Sequence, residues 1–126
     1  MTRNGFNAPG AASVGSYSHA VEIDGFLYLS GQTPLDPPSN ALVLGSIADQ
    51  TRQCFANLTA VLETAGLTLD HVIKCNTYLV DMNDFAEYDA AYRSFFAEPY
   101  PARTTVQVAA LAGPAFLVEI EATVAK

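Results

Sequence analysis

Between Ile47 and Ala65 the residues Ile47, Thr51, Cys54, Phe55, Leu58, Val61, Leu62 and Ala65 recur at steps of three and four, drawing one largely apolar stripe along a helix. Ser46 stands where an N-cap is needed, Asp49 puts negative charge in the first turn, and Gly66 supplies the stop after Ala65. A second helix is read over Asp84–Ala97, with Phe85, Tyr88, Tyr92, Phe95 and Phe96 on one side, Asp81-Met82-Asn83 as the preceding turn and Asn83 as its cap. A helix with one apolar stripe has to lay that stripe on another layer. Two such helices separated by strand-like sequence call for a sheet beneath them.

The strands are found around the helices. His19–Ile23 and Phe26–Ser30 flank Asp24-Gly25, a dipeptide suited to a two-residue type I′ turn, and so read as a hairpin. Val72–Val80 reads as a third strand, and Thr104–Val108 and Phe116–Val124 as a final pair joined through Gly113-Pro114. Residues 1–14 read as an irregular lead-in, and the prolines at 34, 37 and 38 read as keeping the 33–45 loop free of regular structure. The order is β-β-α-β-α-β-β in one domain, 1–126. The fold class is α/β (α+β), a two-layer sandwich of a mixed sheet with two helices on one face.

Charges are scarce in the apolar final strands, and an unpaired buried charge is costly. Arg103 stands at a strand entrance, where a guanidinium can grip a carboxylate through two parallel hydrogen bonds. The other reading is a structural ion pair to Glu119 or Glu121 across an adjacent strand. Glu119 and Glu121 share one strand face because residues two apart point the same way, with Val118, Ile120 and Ala122 on the other. They lie either on an exposed sheet face or where a carboxylate holds or deprotonates a water. Thr105 offers a hydroxyl on the same side as Arg103. Tyr17, after Gly15-Ser16, reads as core or as site. Ser30-Gly31 either presents a hydroxyl and close backbone approach or ends its strand. The aromatics of the second helix read as packing, Tyr88 being the one member considered at a site.

Other chemistries find little support. The net charge is −7 and the six Lys and Arg residues are scattered, which disfavours nucleic acid and anionic membranes as partners. The longest uncharged run in the C-terminal half is broken by Gln107, Gly113 and Pro114, so no membrane span is expected, and the N-terminus lacks an apolar signal core. A cytoplasmic protein is the resulting expectation. No phosphate-binding glycine loop is present, and His19 and His71, in separate elements, lack companions at metal-ligand spacing and are expected to be partly exposed and structural. Cys54 and Cys75 read as buried free thiols. Half the residues are hydrophobic and 15% charged, apolar for a small monomer, which suggests a surface buried against copies of itself.

Taken together, Gly15-Ser16-Tyr17, Ser30-Gly31-Gln32 with Pro34, the helix from Gln50 to Gly66, Asp81-Met82-Asn83-Asp84-Phe85, Pro101-Ala102-Arg103 and Val118-Glu119-Ile120-Glu121-Ala122 resemble the RidA/YjgF family of reactive intermediate deaminases, over nearly the whole chain. The resemblance implies a chorismate-mutase-like fold and a homotrimer with clefts between subunits. It implies metal- and cofactor-free hydrolysis of 2-imino and 2-enamino acids, such as 2-aminoacrylate and 2-iminobutanoate, to 2-keto acids and ammonia. By position, Arg103 matches the arginine that binds the substrate carboxylate, Glu119 the glutamate that positions water, and Tyr17 a cleft tyrosine; Ser30, Gly31 and Thr105 match cleft positions. Three features depart from the pattern. Thr105 stands where many relatives have Cys, the Ala110–Ala115 loop is one residue longer and lacks the usual Leu-Pro, and Asp89 stands where relatives often have Asn. They leave open a pathway-specific deaminase of another, aminomuconate-like enamine. A non-enzymatic trimer that binds small acids or acts as a holdase is the remaining alternative.

Overall fold

The computed structural model describes residues 2–11, 15–43 and 45–126; Met1 and residues 12–14 of the expected lead-in, and Leu44 of the proline-bearing loop, lie outside the described residues. Among the described residues there are eight strands: β1 (Asn4–Phe6), β2 (Ala20–Ile23), β3 (Phe26–Gln32), β4 (Leu35–Asp36), β5 (Ala41–Leu42), β6 (Val72–Leu79), β7 (Ala102–Gln107) and β8 (Val118–Ala125). Two helices accompany them, α1 (Ile47–Thr64) and α2 (Phe85–Arg93). Six strands form one sheet in the order β1-β2-β3-β8-β6-β7, in which only β6 and β7 run parallel, joined by α2 as the crossover. The sheet is mixed and the helices pack on it, as the sequence predicts.

Local sequence explains most boundaries. Ser46 and Asp49 close a capping box at the start of α1, each side chain taking the other's backbone N–H, and Gly66 follows Ala65 with φ 73. Asp24 and Gly25 both have positive φ, the geometry a type I′ hairpin needs between β2 and β3. Along β8, Val118, Ile120, Ala122 and Val124 are buried against the helices, while Glu119, Glu121 and Thr123 face the other side half-exposed. Phe55 is the hub of the core: it stacks on Phe95 at 4.5 Å between ring centroids and meets Tyr92 and Phe96 edge-on, both at 5.6 Å.

Several expectations need correction. The lead-in contributes β1, because buried His19, 1% exposed, takes the Ala8 N–H on Nδ1 at 2.9 Å while its own N–H goes to Asn7 Oδ1. His19 is thus a core residue that ties the terminus to the sheet, not a partly exposed one. The proline loop holds the small β4–β5 hairpin, since Pro37 and Pro38 fall in its turn and leave the paired N–H groups intact. α2 ends at Arg93: the N–H groups of Ser94, Phe95 and Phe96 reach back three residues to Ala91, Tyr92 and Arg93, tightening the chain so that Phe95 and Phe96 turn onto Phe55. Asn83 does not cap that helix. A short 3₁₀ turn over Met82–Asp84 leads into it, with the Asp81 carboxylate accepting the Asn83 N–H. β8 begins at Val118, because the Phe116 N–H is turned back to the Gly113 carbonyl.

Candidate active site

The two final strands are not neighbours: β6 lies between β7 and β8. Its pairings decide where each charge points. Arg103 and Thr105 stand beside Cys75 and Thr77, which are buried on the helix side with their β8 partners Ala122 and Ile120. Glu119 and Glu121 stand beside Tyr78 and Asn76, on the opposite side. Arg103 and Glu119 therefore occupy opposite faces of the same sheet, and an ion pair from Arg103 to Glu119 or Glu121 does not form.

The partner of Arg103 is Asp89, a residue of α2, with Nη1 donating to Oδ1 at 2.7 Å. The other oxygen of Asp89 accepts from Arg93 Nη2 at 3.0 Å. The Arg103 guanidinium lies over the ring of Tyr92 at 4.6 Å, with Phe85 at 5.4 Å and Tyr88 at 5.6 Å. The aromatic stripe of α2 thus packs the core and also walls in a cation. The hydrogen bond from Arg103 holds the Asp89 carboxyl below its ordinary value, although partial burial opposes it. Asp89, Tyr92, Arg93, Tyr100, Pro101 and Arg103 line a cleft of about 340 Å³ here.

Tyr88 lies beneath this cleft rather than in it. It is fully buried at 0% exposure, its hydroxyl shares a 2.5 Å hydrogen bond with Thr77 Oγ1, and its ring stands 5.6 Å from the Arg103 guanidinium. Thr105 Oγ1 and the Tyr92 hydroxyl are buried without a hydrogen-bond partner of normal geometry.

Glu119 faces a second cleft of about 250 Å³ that includes Tyr17, Ser30, Gly31, Thr33, Ala112 and Phe116. Its shape begins in β3. Leu29 pairs with Ala122 and Gln32 with Ile120, so Ser30-Gly31 contains one residue more than β8 can match and the strand bulges. The bulge is held by the Ser30 N–H on the His19 carbonyl at 2.9 Å and by Ser30 Oγ on the Ser18 carbonyl at 2.6 Å. It brings Gly31 so close to Glu119 that a Cβ there would stand 2.6 Å from Oε2. Burial, and then the neighbouring Glu121 charge, raise the Glu119 carboxyl above its ordinary value. Glu121 is itself held by Asn76 Nδ2 at 3.2 Å and by the Tyr78 hydroxyl, whose hydrogen bond to the carboxylate pushes the Tyr78 phenol up to about 12. Tyr17 is 39% exposed at the cleft rim, its ring 6.1 Å from that of His19.

The eight residues singled out from the sequence sort between two clefts. Tyr17, Ser30, Gly31 and Glu119 gather in one; Asp89 and Arg103 gather in the other, over Tyr88 and beside Thr105. Arg93, Tyr92 and Tyr100 were not singled out from sequence as site residues, though Asp89 and Arg93 have the i, i+4 spacing of a helical ion pair. Asn76 and Tyr78 were also missed, and the alternation along β6 would have placed them on the face of Glu121. Among the described residues no group of three or more His, Cys, Asp or Glu side chains could hold a metal ion, and no helix is long and apolar enough to cross a membrane.

Residues 7–126 match the family described as endoribonuclease L-PSP. A RutC family protein of Pyrococcus horikoshii is 47% identical over 116 residues, covering 92% of this chain and 90% of its own. The 2-iminobutanoate/2-iminopropanoate deaminase of mouse is 42% identical over 100 residues, 79% of this chain and 74% of its own. The crystal structure of RidA from an Antarctic Psychrobacter superposes with a TM-score of 0.92 at 39% identity, over 98% of this chain and 100% of that one.

Proposed function

The chain belongs to the RidA/YjgF family, and on that premise we propose that it hydrolyses reactive 2-imino and 2-enamino acids to 2-keto acids and ammonia. The observation that carries the reading is the pairing of an arginine cleft with a cleft around a raised carboxyl, in a chain 42% identical to a mouse protein named for this activity.

Arg103 anchors the substrate carboxylate, and its flat guanidinium, pinned on Tyr92, fixes orientation as well as position. An imine carbon is already electrophilic, so the protein has only to present water to it. Glu119 accepts a proton from that water as its oxygen bonds to the imine carbon, giving a carbinolamine. That proton then passes to nitrogen, the C–N bond breaks as the carbinolamine hydroxyl gives its own proton to Glu119, and ammonia leaves with the keto acid. A carboxyl raised by burial suits both halves of that exchange, because its proton affinity lies nearer the working pH. Tyr17, Ser30, Gly31 and Thr105 shape the space between the two groups. Holding both reactants in place supplies most of the acceleration.

Because the two half-sites lie on opposite faces of one sheet, the working site joins Arg103 of one subunit to Glu119 of another, in a homotrimer. The free face of the sheet supports this: Phe26 and Tyr28 are 41% and 53% exposed there, and β7 leaves an unpaired edge. A cytoplasmic location belongs to the same proposal.

The test couples a threonine or serine dehydratase to the purified protein and follows keto-acid release, with light scattering for the assembly. Arg103→Ala is expected to lose most of the acceleration, and equal rates for it and the wild type would refute carboxylate anchoring. A monomer with full activity would refute the shared site.

A further inference from the structure

Asp89 is the unusual member of the arginine cleft. A site built only to hold an anion gains nothing from a carboxylate of its own, yet Asp89 reaches both cations, Arg103 at 2.7 Å and Arg93 at 3.0 Å. The remaining lining, Tyr92, Tyr100 and Pro101, is uncharged. Two arginines bridged by one aspartate leave a single net positive charge at the cleft. The bridge also spends one oxygen on each arginine, so the charge of Arg93, which on its own could draw a second acidic group, is already partly offset.

We propose that Asp89 determines specificity by charge: it lets the cleft accept monocarboxylates and turns away dicarboxylates, whose second carboxylate meets Asp89 instead of a free Arg93. The inference rests on the functional reading above, since it places the substrate carboxylate on Arg103. Arg103 keeps N–H groups for that first carboxylate because Asp89 takes only Nη1. Arg93 likewise keeps N–H groups, since Asp89 takes only Nη2, but a second carboxylate that approaches them comes up against the Asp89 carboxylate. That aspartate is ionised at neutral pH, so the second carboxylate meets like-charge repulsion beside an arginine whose charge is already partly offset.

Binding tests this without turnover. Isothermal titration would compare 2-oxobutanoate, with one carboxylate, against 2-oxoglutarate, with two. The wild type is expected to prefer the monocarboxylate. Asp89→Asn keeps the shape and removes the charge, and is expected to move the ratio of the two dissociation constants toward the dicarboxylate by about tenfold. Asp89→Ser is expected to move it the same way. Asp89→Asn with Arg93→Gln is expected to lose that gain, because the second carboxylate then has no arginine to meet. An unchanged ratio, a parallel fall for both acids, or no binding of either by the wild type would overturn the proposal. Failure of imine hydrolysis alongside the expected binding ratios would overturn the proposed reaction and leave the charge rule standing.

Discussion

Replacing Gly31 by alanine tests whether the bulge in β3 exists to aim Glu119. The new methyl carbon would stand 2.6 Å from Glu119 Oε2, 2.9 Å from Cδ and 3.1 Å from Cγ, where ordinary contact begins at 3.4 Å. The carboxylate must therefore retreat by about 0.8 Å. The backbone at Gly31 does not have positive φ, so alanine adopts it without strain and the clash is the whole perturbation. Because the obstacle is the end of a side chain, the stability cost should fall at the low end of the ~1–3 kcal/mol typical of overpacking. Activity should suffer far more: a displacement near 1 Å of a group that positions a reactant costs roughly 100-fold. The assay is kcat/KM in the dehydratase-coupled system, with urea denaturation alongside. If the methyl acts through Glu119, then Gly31→Ala combined with Glu119→Gln should be no worse than Glu119→Gln alone. Wild-type kcat/KM in Gly31→Ala, or losses that multiply in the double variant, would refute the reasoning.

Three further outcomes are expected. Burial raises the Glu119 carboxyl above 4.5, so the folded state binds that proton more tightly than the unfolded chain and the ionised form costs stability at neutral pH. Glu119→Gln should thus melt higher than wild type at pH 7.5 while losing activity, with the difference closing as the pH falls toward 4.5; a lower melting temperature at pH 7.5 would contradict this. Phe55→Ala removes a fully buried ring that stacks on Phe95, and should cost about 3–5 kcal/mol by urea denaturation. Tyr88→Phe strands the buried Thr77 hydroxyl, and should cost about 1–3 kcal/mol while leaving KM for the carboxylate substrate near wild type.

What could be read from sequence was what local pattern encodes. The stripe of α1, with Ser46 before it and Gly66 after it, gave that helix to within a residue. The alternation along β8 separated Glu119 and Glu121 from the core residues between them. What escaped depends on distant pairing. Nothing in 101–124 says that β6 enters between β7 and β8, and that insertion alone decides that Arg103 points to the helices and Glu119 away from them. The three residues of β1 carry no strand pattern, and they are ordered by Asn7 and Ala8 binding a histidine more than ten residues ahead. The end of α2 is set by aromatic side chains reaching Phe55, a tertiary demand that overrides helix propensity.

The extra residue in β3 divides that strand into two segments of opposite parity. Before it the odd-numbered residues Leu27 and Leu29 enter the core; after it the even-numbered Gln32 does. Removing one residue at Ser30 or Gly31 would restore a single phase along β3, and every position beyond the cut would exchange faces or slide against β8. Gln32 would swing outward or Leu27 and Leu29 would, and Glu119 would lose the glycine on which it rests. In most strands of this length a one-residue deletion near the end shortens a loop. Here it is a frameshift in three dimensions, so length at this point is under tighter constraint than side-chain identity.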